Sequence, residues 1–250
     1  MKITILIPTY NESGNIANLL GLLKEAANEC PSAQFDVVIL DDSSPDGTAH
    51  IAEKRGGELA GGNFSTAIWS RAEKDGLGKA YIFGFKRILN SASRSDYVLQ
   101  MDADLSHDPK YIGRFIEAAR NGADFVTATR YVGGGGTPDW PWYRKCLSIG
   151  GNWYARQVLG QRISDYTGGF NMYGINLLSQ INFDKLFSAG YGFLIDLKFQ
   201  AINKSKEIAE IPIIFRDRTH GNSKMPARTI FDSLILVLKI KVKSITHHSK

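Results

Sequence analysis

The strongest constraint on the fold is a rhythm, in which short β-branched apolar runs alternate with longer segments of helical period. "KITILIP" at residues 2–8 reads as a strand, and residues 15–28 read as a helix. "FDVVILDD" (35–42) is a second strand, and "SSPDGTAHIAEK" caps and opens a second helix. "FSTAIWS" (64–70) with "GLGKAYIFGFKRIL" (76–89) repeats the unit. "DYVLQMD" (96–102) with a helix over 109–121 repeats it again, and "ADFVTATR" (123–130) is a fifth strand. Near-continuous apolar strands between helices predict an α/β fold, a mostly parallel sheet with helices on both faces. Such sheets bind ligands beyond the carboxyl ends of their strands. The polar clusters follow the strands at that edge: "PTYNE", "DDSSPDGT", "DADLSH" and "RYVGGGG". Together they predict a single crevice.

After residue 140 the pattern loosens. "WYRKCLSIGGNWYARQVLG" reads as a helix with a wide apolar face, "IAEIPIIFRDR" (208–218) as a late strand, and "THGNSKMPA" as a polar loop containing His220. The final stretch places Phe231, Leu234, Leu238, Val242 and Ile245 on one helical face, with Lys239, Lys241, Lys243 and Lys250 beside them. A basic amphipathic end of this kind suits an anionic membrane or a partner protein, and equally a last helix packed on the core.

A chain of 250 residues with 43% hydrophobic content can bury one large core. Its net charge of +5 and pI near 9.1 suit anionic ligands but are too mild to imply nucleic acid. The apolar start stops at Pro8, so no signal peptide is expected, and no run approaches the length of a membrane span. Cys30 and Cys146 are far apart and in no metal-ligand spacing, as expected of reduced thiols in a cytosolic protein.

The chemistry concentrates in "YVLQMDADLSHDP" (97–109). Residues i and i+2 of an extended segment point the same way, so Asp102 and Asp104 can converge on one point. Two carboxylates that close repel unless a cation intervenes, and hard oxygen donors favour Mg²⁺ or Mn²⁺. The competing reading is that these aspartates cap the helix at Pro109. Asp41 and Asp42, ending the second strand, could accept hydrogen bonds from a ribose or a base N–H. Ser43, Ser44 and Asp46 beside them also read as a turn with a helix cap. "DGLGKA" satisfies neither common phosphate-loop pattern and leaves Lys79 a minor anion contact.

Nine stretches in order, "PTYNE", "DDSSPDGT", "GLGKAY", "DADLSHDP", "TRYVGGG", "RKCLSIGGN", "DYTGGF", "GYGF" and "IPIIFRDRTHGNSK", resemble family-2 glycosyltransferases. Within that family they resemble the dolichyl- or polyprenyl-phosphate mannosyltransferases. The resemblance implies a GT-A, Rossmann-like nucleotide-sugar-binding fold that transfers mannose from GDP-mannose to a polyprenyl or dolichyl phosphate. It places nucleotide contacts at Pro8, Tyr10, Glu12, Leu40 and Asp42, and the D-x-D at Asp102, Ala103 and Asp104, with Asp104 the principal Mg²⁺ or Mn²⁺ ligand. Arg130 matches an arginine near the donor, and Arg218 and Lys224 match a pair closing over the nucleotide phosphates. Arg144 and Ser148 match contacts to the lipid phosphate.

The expected division is a catalytic domain over 1–228 and a basic amphipathic tail over 229–250. The expected setting is the cytoplasmic face of a membrane, with a small membrane-protein subunit as a candidate partner. Ser106, Leu194 and Asp196 depart from the family pattern, where Gln, Gln and Glu are common. His107 is expected to orient the acidic loop, and Trp140, Trp142 and Trp153 to sit in the core or line a lipid groove. Three other readings stand beside this one: a UDP-glucose-dependent glucosyltransferase, a D-x-D phosphatase with Asp102 as nucleophile, and a silent nucleotide-sugar-binding subunit.

Overall fold

Strand β1 (Lys2–Thr9) is buried along most of its length and pairs in parallel with β2 (Gln34–Asp41) on one side and β4 (Tyr97–Gln100) on the other. The computed structural model describes residues 1–92, 95–187, 190–216 and 227–248, with side-chain surroundings for all of these except 190–191, 227–233 and 245–248. β3 (Phe64–Ser70) extends the parallel run beyond β2. On the far side, β6 (Asn171–Gly174) pairs antiparallel with β4 and with β5 (Phe125–Thr129), and β7 (Ile208–Pro212) pairs in parallel with β5. The order is therefore β3-β2-β1-β4-β6-β5-β7. The five early strands expected from sequence are all present, and the late strand is shorter than its apolar run.

Helices cover both faces. α1 (Ile16–Glu29) buries Ile16, Leu19, Leu20, Leu23, Ala26 and Ala27, the three-and-four spacing of a single apolar stripe. With α2 (Thr48–Leu59) and α4 (Ile112–Arg120), it encloses a core against Ile3, Ile5, Ile7, Phe35 and Val37. α3 (Leu77–Leu89), α5 (Trp142–Leu159), the short α6 (Ile175–Leu178), α7 (Gly190–Lys204) and α8 (Ala227–His248) cover the other face around Tyr81, Phe85, Tyr173 and Phe193. Sequence periodicity missed β6, α6 and α7. β6 is four residues long, and α7 is so apolar around its circumference that no stripe stands out.

α8 packs on α5 and α7 through Val237 and Ile240, and Tyr154 donates a hydrogen bond to the Leu234 carbonyl at 3.1 Å. Of the stripe read as suited to a membrane, a partner or the core, Leu238 and Val242 are exposed, as is the neighbouring Ile235, while Phe231 and Ile245 lie outside the described side chains. No described helix is long and apolar enough to cross a membrane.

α2 lies close on β3 because position 56 has no side chain. A Cβ on Gly56 would sit 2.1 Å from Thr66 Oγ1 and 2.9 Å from Thr66 Cβ. Overpacking of this kind costs about 1–3 kcal/mol, against at most about 1 kcal/mol of helix propensity recovered by alanine. Gly56→Ala should therefore lower the thermal midpoint, and Gly56→Ala/Thr66→Ala should restore it. A double variant no more stable than the single one would locate the strain elsewhere.

Candidate active site

The chain leaves β1 for β2 on one side and later returns to place β4 on the other. The crevice at the carboxyl ends of β1 and β4 is thus the switch point of the sheet, where such folds bind ligands. The loops after β1, β2 and β4 hold the three non-glycine residues with left-handed backbone in the described chain: Asn11 (φ 59°), Ser43 (φ 52°) and Leu105 (φ 63°). Such conformations cost energy and persist only where surrounding contacts hold them, a common feature of functional loops.

Hydrogen bonds lace the first two loops together. Thr9 Oγ1 donates to Asp41 Oδ1 at 2.8 Å, and Ser44 donates to Asp41 through both its backbone N–H and its hydroxyl. Glu12 N–H donates to Thr48 Oγ1 at 2.9 Å, and Ser13 N–H to Asp46 Oδ2 at 3.0 Å. Asp41 and Asp46 are thus the turn-makers.

Asp42 is different. It is buried, and its Oδ1 lies 3.3 Å from Arg71 Nη1, yet neither atom makes an aligned hydrogen bond. Burial raises the Asp42 pKa, with Arg71 pulling against it. A buried carboxylate with unmet accepting capacity at a strand end is suited to ligand N–H or O–H donors. Lys74 sits 4.0 Å over the Tyr10 ring on the same side. Pro8 and Leu40 face each other in register on β1 and β2; the Leu40 side chain is buried in the core, which leaves its main chain for a ligand. Arg71 and Lys74 carried no sequence signal beyond being two of many cations. Lys79 is exposed and paired with Asp75 at 2.5 Å.

The acidic loop follows β4. Asp104 is buried, and its Oδ1 accepts from the Ser106 N–H at 3.1 Å and the Ser106 hydroxyl at 2.6 Å. The Asp102 side chain is about a third exposed (34%). Ala103 points its methyl into the core. His107 is buried, stacks on Phe170 at 5.1 Å, and accepts the Asp102 N–H on Nδ1 at 2.9 Å, so a neutral ring carries its proton on Nε2. That ring braces the loop, as the sequence suggested. The helix-capping alternative falls to another residue: Asp108 accepts from Lys110 N–H where a single 3-10 turn at Pro109–Tyr111 leads into α4. Two carboxylates are a fitting donor set for a hard divalent ion that completes its shell with water and phosphate. Among the described residues, no group of three acidic, His or Cys side chains forms a closed cage.

A cleft of about 360 Å³ opens on the other side, lined by Arg130, Tyr131, Trp140, Lys145, Ser148 and Ile149 among others, but not by Asp102 or Asp104. On α5, Arg144, Ser148, Asn152 and Ala155 recur at helical spacing; Ser148 lines the cleft, while Ala155 packs in the core. Ser148 Oγ lies 2.6 Å from Tyr131 Oη, and Arg144 lies 4.0 Å over the Trp140 ring. Arg130 is nearly buried. Its Nε and Nη2 donate to Asp165 at 2.7 and 2.9 Å, and Nη2 also donates to Thr167 Oγ1. Burial opposes the charge on Asp165, yet Arg130 and Lys198 hold its carboxyl well below the usual carboxylate range.

Sequence reading named Arg130 but missed Asp165, Thr167 and Asn152, which fix it. The glycines of "DYTGGF" were the available signal. A Cβ on Gly169 would lie 3.2 Å from His107 Cε1 and 3.6 Å from Asp102 Oδ2. This segment therefore links the acidic loop to the arginine cleft. Leu194 and Asp196 prove to be packing positions. Leu194 is buried in the core, and Asp196 accepts the Phe187 N–H and faces Lys243 of α8 at 3.8 Å. Arg218, His220 and Lys224 lie outside the described residues.

The sequence profile of glycosyl transferase family 2 matches residues 4–181, and the chain belongs to that family. An undecaprenyl-phosphate mannosyltransferase of Micrococcus luteus is 38% identical, over 96% of this chain and 93% of its own length. A polyprenol monophosphomannose synthase of Mycolicibacterium smegmatis is also 38% identical, over 93% of this chain and 84% of its own length. The fold matches mannosyl-3-phosphoglycerate synthase from Rubrobacter xylanophilus, with a TM-score of 0.61 at 18% identity over 100% of this chain and 75% of that one. It also matches a mannosyltransferase from Pyrobaculum calidifontis in complex with GDP-Man and Mn²⁺, with a TM-score of 0.56 at 13% identity over 99% of this chain and 74% of that one. The expected GT-A architecture holds.

The Arg130–Asp165 pair generates a stability test. Arg130→Met leaves a charged carboxylate buried and should cost about 3–5 kcal/mol in urea denaturation, with Arg130→Met/Asp165→Asn regaining part of it. Because the folded-state pKa of Asp165 is depressed, the pair's contribution is present above about pH 4 and is lost as pH falls below it. A single variant as stable as the wild type at neutral pH would show that the pair contributes nothing.

Proposed function

We propose that the chain transfers mannose from GDP-mannose to the phosphate of a polyprenyl or dolichyl lipid. The observation that carries this reading is the pairing, across one loop, of an acidic loop suited to a metal-bound diphosphate and a cleft walled by Arg130 and Ser148. The names of both relatives supply the classes of sugar and acceptor. Membership of a glycosyl transferase family favours this reading over the phosphatase.

A phosphate monoester has a second pKa of about 6, so it is largely a dianion at neutral pH and needs no base to attack. The site's task is to bring that anion up to an already anionic donor. Asp42, the main chain of Leu40, Tyr10 and Glu12 are placed to hold the nucleoside, and Asp102 and Asp104 to hold Mg²⁺ or Mn²⁺ with its phosphates. That ion would offset charge on the leaving diphosphate. Arg218 and Lys224, outside the described residues, are assigned the same phosphates. Arg144, with its planar fork, and the Ser148 hydroxyl receive the lipid phosphate. Attack from the face opposite the leaving group inverts the anomeric carbon.

Asp104→Ala should abolish transfer while leaving the melting temperature within a few degrees of wild type, and a chelator should do the same to the wild type. Retained transfer would remove the aspartate from the metal site. Calorimetry with GDP-mannose against UDP-glucose, each with Mn²⁺, separates the mannosyl reading from the glucosyl alternative.

A lipid acceptor calls for a membrane surface, and the distribution of exposed apolar side chains supports one. Among the described residues, nine large hydrophobic side chains are exposed, and all but Leu77 lie on α5 and α8: Trp142, Tyr143, Leu147, Ile149 and Trp153 on the first, Ile235, Leu238 and Val242 on the second. The sequence expectation put Trp142 and Trp153 in the core or a groove; instead they are 77% and 61% exposed, on the helix that carries Arg144 and Ser148. Trp and Tyr favour the headgroup layer, and Lys145 and Lys239 nearby suit anionic lipid. Trp142→Ser/Trp153→Ser should reduce co-sedimentation with anionic liposomes by about tenfold, since each removes an interfacial anchor. Unchanged sedimentation would assign that face to another contact.

A further inference from the structure

Lys198 of α7 is fully buried, with 0% of its surface exposed, and the reaction described above has no use for it. Its Nζ donates to the main-chain carbonyl of Asp165 at 2.7 Å. A residue needed only for packing would be a leucine or methionine of the same reach, because a buried ammonium carries a desolvation cost that an apolar side chain does not. A lysine is explained where a donor must meet one buried acceptor at one point.

That point is a junction. The Asp165 carboxylate holds Arg130 and also accepts the N–H groups of Thr167 and Gly168, at 3.1 and 3.0 Å. One residue earlier, Glu210 of β7 accepts from both the N–H and the hydroxyl of Ser164, at 2.7 and 2.6 Å. One residue later, the Tyr166 N–H donates to Asn152 Oδ1 of α5 at 2.8 Å. The 164–168 segment is therefore gripped from β7, α7, the end of β5 and α5, and Lys198 is its support from within.

We propose that Lys198 is a positioning residue for the acceptor side of the cleft: it fixes the main chain at Asp165, and Asp165 in turn aims Arg130, which the resemblance set near the donor but which here shares its cleft with Ser148. The proposal rests on the lipid-phosphate reading above. Moving residue 165 would shift Arg130 in the cleft wall while leaving the β1–β2 nucleotide loops in place, since these share no hydrogen bond with the segment among the contacts described.

The charged groups facing Lys198 are Asp165, Arg130 and Glu210. Burial brings its pKa down to about 8, against the pull of Asp165. The charge is therefore lost as pH rises through that value, and the neutral amine is the weaker donor. Stability moves the other way. A base whose folded-state pKa lies below its unfolded value of about 10.4 loses its proton first in the folded state, so stability rises over that window. Weakened acceptor binding without weakened folding is what a merely structural lysine would not produce.

The test is steady-state transfer from GDP-mannose to a short polyprenyl phosphate, with wild type, Lys198→Met and Lys198→Arg. Lys198→Met should raise KM for the lipid phosphate about tenfold while KM for the donor stays within about twofold. Lys198→Arg should keep the wild-type KM up to about pH 9, where the wild type has lost its charge. Donor and acceptor KM moving together, or neither moving, overturns the proposal. If Lys198→Met does not fold, the wild type decides: its lipid-phosphate KM should rise from about pH 7.5 to about pH 9 with no fall in melting temperature, and a flat KM overturns it. A wild type that transfers nothing to polyprenyl phosphate refutes the functional reading itself, and the role of Lys198 with it.

Discussion

Parallel pairing of β1 with β2 and with β4 is the constraint from which the site follows. Both pairings are in register over residues buried on both faces, so a one-residue slip would exchange the side chains packed in the two cores. With that register held, the loops after three strands must emerge at one edge. Asp42, Tyr10 and Asp102 reach the same crevice although some 90 residues of chain separate the first loop from the last. The left-handed residues Asn11, Ser43 and Leu105 mark where this convergence bends the backbone, and the Asp41, Ser44, Thr48 and His107 contacts hold those bends.

The second half of the sheet has a different logic. Inserting the short antiparallel β6 between β4 and β5 brings "DYTGGF" back toward the acidic loop. This places two cations and two anions (Arg130, Lys198, Asp165 and Glu210) together beside the cleft, with Lys198 and Asp165 fully buried and the other two partly so. Isolated, any of these charges would be costly in the interior; together they offset one another and accept or donate hydrogen bonds at fixed points. The cleft wall is thus rigid from below, while the outer face of α5 is left apolar. The proposed anionic, lipid-linked acceptor would use both: a fixed cation for its phosphate and an apolar approach for its chain.

Much of the site was legible because its residues sit in short local patterns. Arg144 and Ser148 share a helix through a four-residue step, whereas β4 ends at Gln100, so Asp102 and Asp104 lie in the loop beyond it, where the two-residue strand period no longer applies. Asp41 and Asp42 look alike in sequence; Thr9 and Ser44 saturate the first and leave the second, which no local pattern reveals. Asp165 opens the quoted "DYTGGF" yet, like Lys198, drew no role for the same reason. Their partners lie 35 and 33 residues away, and neither sits in a pattern that periodicity can detect.

The sequence by itself determined the early strand–helix alternation, the mostly parallel character of the sheet and the edge at which its polar loops gather. Those properties arise from periodicity and turn chemistry within a few residues. Only the tertiary structure decided which carboxylates are consumed by the scaffold, what aims Arg130, and that Trp142, Trp153, Leu238 and Val242 face outward rather than inward. Those outcomes depend on which surfaces meet after the chain has closed, and an apolar residue carries the same local signal whether its neighbour is a strand or solvent.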